Sequence, residues 1–244
     1  MKTMRMLVFG SLILISSLGN TAELQISPVN IDIPSGEKSA LLTLQNNSEK
    51  TIKIQARVRP WEGDEDIKQP RNIVLSPSSL TILPGKQQVV RVVNVGPASN
   101  PDREQLYRVF LDEIPDLEQP PEKGLILQVR YSLPLFIGGP DLSTSRTDDS
   151  EKLISIWQQS LSYKFDVMTK QLVFNNRAAG HARISKVRII NTEGKETAVF
   201  AGLLGYVLAR SEAAFSVAEI PIADGSQLHA EVNGVSLEVP ADGR

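Results

Sequence analysis

Short runs of alternating apolar and polar residues, separated by turn residues, occupy most of the chain. The clearest run is residues 125–136, LILQVRYSLPLF, in which every odd position is apolar and positions 128–134 carry polar residues or proline between them. Because successive side chains of a strand point to opposite faces, this pattern predicts one long strand with a continuous apolar face. Pro134 cannot donate to a ladder, which favours a sheet edge or a strand end. Two interpretations remain open, a buried sandwich strand and a strand that is lent to another protein.

The same pattern predicts the fold class of the whole chain. Strand-like segments recur about every ten residues, with Pro and Gly at the turns and no long helical period, which is typical of immunoglobulin-like sandwiches. Residues 138–149 are rich in Gly, Pro, Ser, Thr and Asp and predict a linker. We therefore expect an all-β protein with two sandwiches, over residues 23–137 and 150–244. The segment around Trp157, residues 152–161, is compatible with a short helix or with a strand.

The first 22 residues have the pattern of a secretory leader. Lys2 and Arg5 form a basic start, residues 6–15 are mostly apolar, and small or polar residues follow as far as Ala22. We expect cleavage after Ala22 and export of a soluble chain, since no other apolar run is long enough to cross a bilayer. The remaining chain has a formal charge of about −4, which does not favour nucleic acid or an anionic membrane as a partner. It contains no cysteine, so its stability must come from its cores.

Catalytic patterns are absent from the sequence. The two histidines, His181 and His229, do not have a metal-ligand spacing, and the sequence contains no nucleophile elbow, phosphate-binding loop or dinucleotide fingerprint. His181 follows Gly180, which predicts an exposed turn residue. The acidic clusters at residues 64–66 and 148–151 lack the spacing of a calcium loop and are interpreted as solvated surface. We expect no enzyme activity, no catalytic residues, no metal and no cofactor.

Arginines inside strand-like segments are more informative. Arg108 is surrounded in sequence by apolar residues, and Arg130 lies within the long alternating run. Most strand arginines extend to solvent or pair with a surface acid. An Arg near a domain cleft can instead hold a carboxylate bidentately, and the C-terminal carboxylate of a protein ligand is a reasonable guest.

Four segments together resemble one known family, the periplasmic pilus-assembly chaperones of the chaperone–usher pathway. They are PDREQLYRVFLDEIP (101–115), QVRYSLPLFIGGP (128–140), IPSGEKSALLTLQN (33–46) and LPGKQQVVRV (83–92). The resemblance covers nearly all of the first predicted domain, and YRVFLDEIP with VRYSLPLFI is similar to the archaic branch. It implies two immunoglobulin-like domains in a boomerang arrangement, located in the periplasm.

The resemblance also implies a mechanism, donor-strand complementation, in which the last strand of the first domain fills the groove of an incomplete pilin. The complex would be 1:1, would need no cofactor, nucleic acid or small-molecule substrate, and would pass to an outer-membrane usher. Two free copies could also associate through the exposed strand. The inserted side chains would be Leu125, Leu127, Val129, Tyr131 and Leu133.

The carboxylate anchor departs from the family pattern. The positions that hold an Arg and a Lys in well-studied members align with Asn30 and Pro134, which carry no charge. Arg108 and Arg130 are the expected replacements. Two other protein classes are alternatives: a structural pilin or adhesin, which would carry its own N-terminal extension and usually a disulfide, and a secreted hydrolase.

Overall fold

The computed structural model describes residues 23–61, 70–97, 100, 102, 104–115, 128–142, 149–217 and 225–242. Its N-terminal half is a sandwich of two sheets. One sheet has the order β1-β3-β7-β5 and the other the order β2-β9-β8-β4-β6. The strands are β1 (Leu24–Ser27), β2 (Ile31–Ile33), β3 (Ser39–Asn46), β4 (Ile52–Pro60), β5 (Ile73–Ser76), β6 (Ser79–Ile82), β7 (Gln87–Asn94), β8 (Gln105–Glu113) and β9 (Arg130–Ile137).

Alternation along the strands builds the core of this sandwich. In β4, Ile54, Ala56 and Val58 are buried, and Gln55 and Arg57 between them face outward. In β8, Val109 and Leu111 are buried in the same way. Each fully buried aliphatic side chain contributes about 1.5–3 kcal/mol of transfer free energy, so a core of this kind can stabilise a domain without disulfides.

Strand β9 is the described part of the predicted long strand. It runs antiparallel to β8 over its whole length, with Arg130 opposite Asp112 and Ile137 opposite Gln105. Only its last three residues, Leu135–Ile137, pair with another neighbour, the parallel strand β2. Residues 125–127 of the predicted strand lie outside the described residues.

The C-terminal half is a second sandwich, which makes the fold all-β in two units as expected. Its sheets have the orders β10-β11-β14 and β13-β12-β15-β16. The elements are α1 (Ser150–Ser160), β10 (Leu161–Asp166), β11 (Gln171–Asn176), β12 (Ala182–Ile190), β13 (Glu196–Val207), β14 (Ser211–Ser216), β15 (Gln227–Val232) and β16 (Val235–Val239). Among the described residues, no helix has both the length and the apolar character needed to cross a membrane.

The undecided segment around Trp157 is the helix α1. Asp149 caps it, because the Asp149 side chain accepts a hydrogen bond from the backbone N–H of Lys152 at 3.0 Å. Leu153 and Trp157, four positions apart, are its buried residues and attach the helix to the second core. A helix with only two buried positions gives a weak periodic signal, which is why the sequence pattern left it open.

Candidate functional site

The outer edge of β9 is open over most of its length. Among the described residues, no strand pairs with Arg130–Pro134 on the side away from β8, because β2 begins its pairing only at Leu135. The N–H of Glu113 donates to the carbonyl of Val129 at 3.0 Å, so pairing with β8 continues to that residue. Antiparallel bonding alternates, so the odd residues of β9 bond to β8 and the even ones present their backbone groups to the open edge.

This alternation explains why proline is tolerated in an inner strand. Pro134 lies opposite Arg108 at a position that does not exchange backbone bonds with β8. Its missing N–H is directed to the open edge, so the ladder to β8 loses nothing. The open edge therefore offers the backbone groups of Arg130 and Ser132, since the parallel pairing at Leu135 directs the carbonyl of Pro134 to β2.

The odd side chains of β9 point toward the first core. Leu133 is buried there with 6% of its surface exposed, so in the free chain it belongs to the first core, and its insertion into a partner stays a prediction. Tyr131 is half-buried at the margin of the same core, and Val129 is partly exposed next to it. The predicted residues Leu125 and Leu127 lie outside the described residues.

Tyr131 and Glu113 close this margin of the core. The Tyr131 hydroxyl donates to Glu113 Oε1 at 3.2 Å. Burial, followed by the charge of Glu113, raises the pKa of Tyr131 to about 12. Burial also raises the pKa of Glu113, although the bond from Tyr131 lowers it in part. At neutral pH, Tyr131 is therefore a neutral donor.

Arg130 is engaged within the chain. Its guanidinium pairs with Asp112, which also accepts from Nε and Nη2 of Arg57 at 2.9 and 2.6 Å. Burial alone would raise the pKa of Asp112, but the hydrogen bonds from Arg130 and Arg57 outweigh it, and the pKa lies below its ordinary value. The structure thus gives Arg130 a carboxylate of its own, which argues against its expected role as an anchor for an external one.

Arg108 has different surroundings. Its guanidinium carbon lies 4.1 Å from the centroid of the Trp61 ring, a cation–π contact. Its Nη1 donates to Ser132 Oγ at the long distance of 3.5 Å. Within the part of the chain that the structure describes, Arg108 forms no ion pair. A stacked guanidinium with donors still available can hold a carboxylate.

Arg108 borders the contact between the two sandwiches. Trp61 follows β4, and its ring lies 5.6 Å from Phe136 on β9 and 6.1 Å from Tyr206 on β13. Burial is the main influence on Tyr206 and raises its pKa, while the charge of Arg108 lowers it in part. The guanidinium therefore lies beside an aromatic cluster made from both sandwiches.

Asn30 and Pro134, at the family's usual anchor positions, carry other functions here. The Asn30 side chain donates to Asp32, and Pro134 is buried on β9. Burial is the largest influence on Asp32 and raises its pKa above the ordinary value, with His181 and Asn30 acting in the opposite direction. The chain thus has an uncharged residue, Asn30 or Pro134, at each of the two positions where well-studied family members have a basic one.

His181 is not the exposed turn residue that the sequence predicted. Only 8% of its surface is exposed, its ring stacks on Phe136 with centroids 3.5 Å apart, and its Nδ1 lies 2.8 Å from Glu104 Oε1. Its Nε2 is 3.8 Å from Asp32 Oδ1. All three partners, Phe136, Glu104 and Asp32, belong to the first sandwich. They are far from His181 in the sequence, so the residues around His181 give no sign of these contacts.

A family model matches the first half of the chain. Residues 23–142 match the N-terminal domain of PapD, described as a pili and flagellar-assembly chaperone. The probable fimbrial chaperone LpfB of Escherichia coli O157:H7 is 29% identical over 113 residues, which are 46% of this chain and 47% of that protein. The chain thus spans about half the length of the curated relatives it matches.

Solved structures are similar over nearly the whole chain. One is the CsuC–CsuE chaperone–tip adhesion subunit pre-assembly complex from archaic chaperone–usher Csu pili of Acinetobacter baumannii, with 24% identity, a TM-score of 0.61, and coverage of 90% of this chain and 99% of that one. Another is the Salmonella enterica SafA pilin in complex with the SafB chaperone, with 16% identity, a TM-score of 0.61, and coverage of 89% and 95%. At these identities the likeness concerns the fold.

Proposed function

The chain belongs to the pilus-assembly chaperone family through residues 23–142, and from this premise we propose that it binds pilin subunits in the periplasm by strand addition. The observation that carries the proposal is the open edge of β9, a row of backbone groups over residues 130–133 without a strand beside it among the described residues. The chain of an incomplete sandwich gains backbone hydrogen bonds by pairing with such an edge. The leader-like sequence pattern of residues 1–22 supports the proposed location.

Side chains on the inward face of the strand supply specificity. Leu125, Leu127, Val129 and Tyr131 have the same parity as Leu133, which lies in the chaperone's own core. A subunit that pairs at the open edge extends the sandwich beyond Leu133 toward lower residue numbers. In this proposal Leu133 completes the chaperone core, and the four residues before it on the same face fill the subunit's groove.

Arg108 is the proposed anchor for the subunit's C-terminal carboxylate. Its support is the cation–π contact with Trp61 and the lack of an ion pair among the described residues. The planar fork of a guanidinium matches a carboxylate bidentately, and the stacked ring restricts its orientation before binding. Arg130 instead holds Asp112 and supports the beginning of β9.

Co-purification with a pilin subunit from the same organism tests the strand. Val129→Asp introduces a charge on the inward face at the open end, and we expect the subunit to be lost from a tagged chaperone. Val74→Asp is the matched control, because Val74 is an exposed strand residue of the opposite sheet, with 44% of its surface accessible. Normal capture by the Val129 variant would contradict the strand assignment.

A second substitution tests the anchor. Arg108→Ala should reduce subunit capture at least tenfold without lowering the yield of free chaperone. Arg91→Ala is the control, since Arg91 is an exposed arginine on β7, in the opposite sheet. Equal capture by both variants would remove Arg108 from the site.

The later steps follow from the same edge. Delivery to an outer-membrane usher requires that the added strand be replaceable, and an edge bonded over a few residues allows stepwise exchange. In the absence of a subunit, a second copy of the chain can pair with the same edge. The similarity to the archaic Csu complex agrees with assignment to the archaic branch.

A further inference from the structure

We infer that His181, in the second sandwich, is a positioning residue for subunit capture, and that it sets the arrangement of Trp61 and Arg108 in the first. This inference rests on the proposed function, in which Arg108 holds the subunit carboxylate. Its basis is a continuous series of contacts across the boundary between the sandwiches: His181 to Phe136, Phe136 to Trp61, and Trp61 to Arg108.

The first contact is close and nearly parallel. The His181 and Phe136 rings are inclined by 10° with centroids 3.5 Å apart, so a shift of either ring is opposed by the other. Phe136 is 1% exposed and belongs to β9, the strand with the open edge. The position of His181 therefore bears directly on the strand proposed to bind the subunit.

Two asparagines fix His181 within the second sandwich. The carbonyl of His181 accepts from Asn233 Nδ2 at 3.0 Å, and the carbonyl of Gly180 accepts from Asn176 Nδ2 at 2.9 Å. Asn176 is fully buried. Because these two hydrogen bonds fix the backbone at Gly180 and His181, the His181 ring moves together with the second sandwich. Any shift of the second sandwich is therefore passed to Phe136 in the first.

Polar contacts fix the ring within its plane. Nδ1 lies 2.8 Å from Glu104 Oε1, and only 3% of the Glu104 side chain is exposed. The other oxygen, Oε2, is buried and has no hydrogen-bond partner among the described residues. Loss of the imidazole would leave this carboxylate buried and unpaired, so the Glu104 bond contributes to stability.

The second sandwich also supports the relay through Tyr206. Its ring lies 5.7 Å from Phe136 and 6.1 Å from Trp61. The Trp61 ring thus packs between the end of β9 and the second sandwich, with the Arg108 guanidinium stacked on it at 4.1 Å. A change in how the sandwiches meet would alter the surface on which the guanidinium rests.

The two roles of His181 can be separated by substitution. His181→Asn retains a donor at the position of Nδ1, so Glu104 stays paired, but it removes the ring that packs on Phe136. His181→Phe retains the ring and removes the donor. We expect the Asn variant to keep nearly native thermal stability and to capture subunit about tenfold less well. We expect the Phe variant to be less stable but to capture subunit as the native chain does.

The control uses a residue outside this relay, and the reference variant removes its last member, Arg108. His229→Asn, a histidine on β15 opposite Glu238, should change neither stability nor capture. Each variant is also combined with Arg108→Ala and assayed by pulldown of a co-expressed pilin subunit. Since His181 acts through Arg108, the double variant with His181→Asn should capture no less subunit than Arg108→Ala alone.

The outcomes distinguish the inference from the function on which it rests. If Arg108→Ala captures subunit normally, the anchor itself is wrong. If Arg108→Ala fails but His181→Asn captures normally, the anchor stands and the positioning role of His181 is refuted. The same refutation follows if capture declines in parallel with thermal stability across the two His181 variants, or if the effects of His181→Asn and Arg108→Ala add.

Discussion

Asp112 offers a direct test of how the outer face of the first sandwich is held together. It lies opposite Arg130 on β9 and accepts hydrogen bonds from both Arg130 and Arg57, while only 11% of its side chain is exposed. Asp112→Asn preserves the shape and removes the charge. Hydrogen bonds to charged groups contribute about 1.5–3 kcal/mol each, but the two arginine side chains are 31% and 43% exposed and water can replace part of the loss.

The expected loss of unfolding free energy is therefore about 1–2 kcal/mol, or about 2–8 °C in melting temperature for a chain of 244 residues. The pKa of Asp112 is lowered in the folded state, so its contribution is present above the unfolded value of about 3.9 and disappears as the pH falls through the folded value. The difference between the native chain and Asp112→Asn should thus be full at pH 7 and vanish in strong acid.

Urea denaturation at a series of pH values, followed by circular dichroism, measures both quantities. Glu212→Gln is the matched control, since the Lys164–Glu212 pair has a comparable distance of 3.1 Å but is about half exposed on both sides. That variant should lose less than about 0.5 kcal/mol. The reasoning fails if Asp112→Asn costs no more than the control, or if its cost persists below the pKa of the carboxyl.

Two further substitutions test other parts of the structure. Burial raises the folded-state pKa of Asp32, so the protonated carboxyl stabilises the fold below the unfolded pKa, and this stabilisation is lost as the pH rises through the folded pKa. Asp32→Asn should therefore raise the melting temperature at pH 7 and leave it unchanged near pH 3. An equal change of melting temperature at both pH values would contradict this reasoning. Gly205→Ala places a Cβ 2.3 Å from the Phe215 ring, so it should lower the urea midpoint by an amount equivalent to about 1–3 kcal/mol. Gly202→Ala, on the same strand, is the control, because the added Cβ meets only Phe200 Cε1 at the ordinary contact distance of 3.8 Å.

The sheet architecture could be predicted because the alternation is strong and local. Buried and exposed positions along β4 follow the sequence pattern residue by residue. The hairpin between β15 and β16 also has a local signal, since Asn233–Gly234 between two alternating runs is a strong hairpin indicator, and both residues have positive φ, 47° and 94°. A glycine inside a strand pattern favours a break, but β13 continues through Gly205 to Val207.

The candidate site could be predicted only in part, because its members meet through pairing registers. Arg108 and Arg130 each lie within a strand-like segment, and the sequence around them does not show which one is paired. The difference arises across strands, where Asp112 lies opposite Arg130 and Trp61 lies beneath Arg108. His181 reaches Glu104 across 77 residues, and its burial depends on the contact between the two sandwiches. Sequence reasoning that weighs each segment by itself has no access to such contacts.

The geometry of β9 limits where a partner strand can bind. From Leu135 onward the outer edge is occupied by β2, which also takes the carbonyl of Pro134, and proline has no N–H to donate. A partner strand therefore finds complete bonding only at Ser132, Arg130 and residues before them. The open edge is short and contains a proline and a charged side chain, features that discourage unselective pairing between sheets. A subunit gains enough backbone hydrogen bonds for stable binding only if pairing continues through residues 125–129. In this segment the alternating apolar side chains also favour a subunit whose groove matches them. The affinity for subunits in general and the register in which a particular subunit pairs thus both depend on residues 125–132.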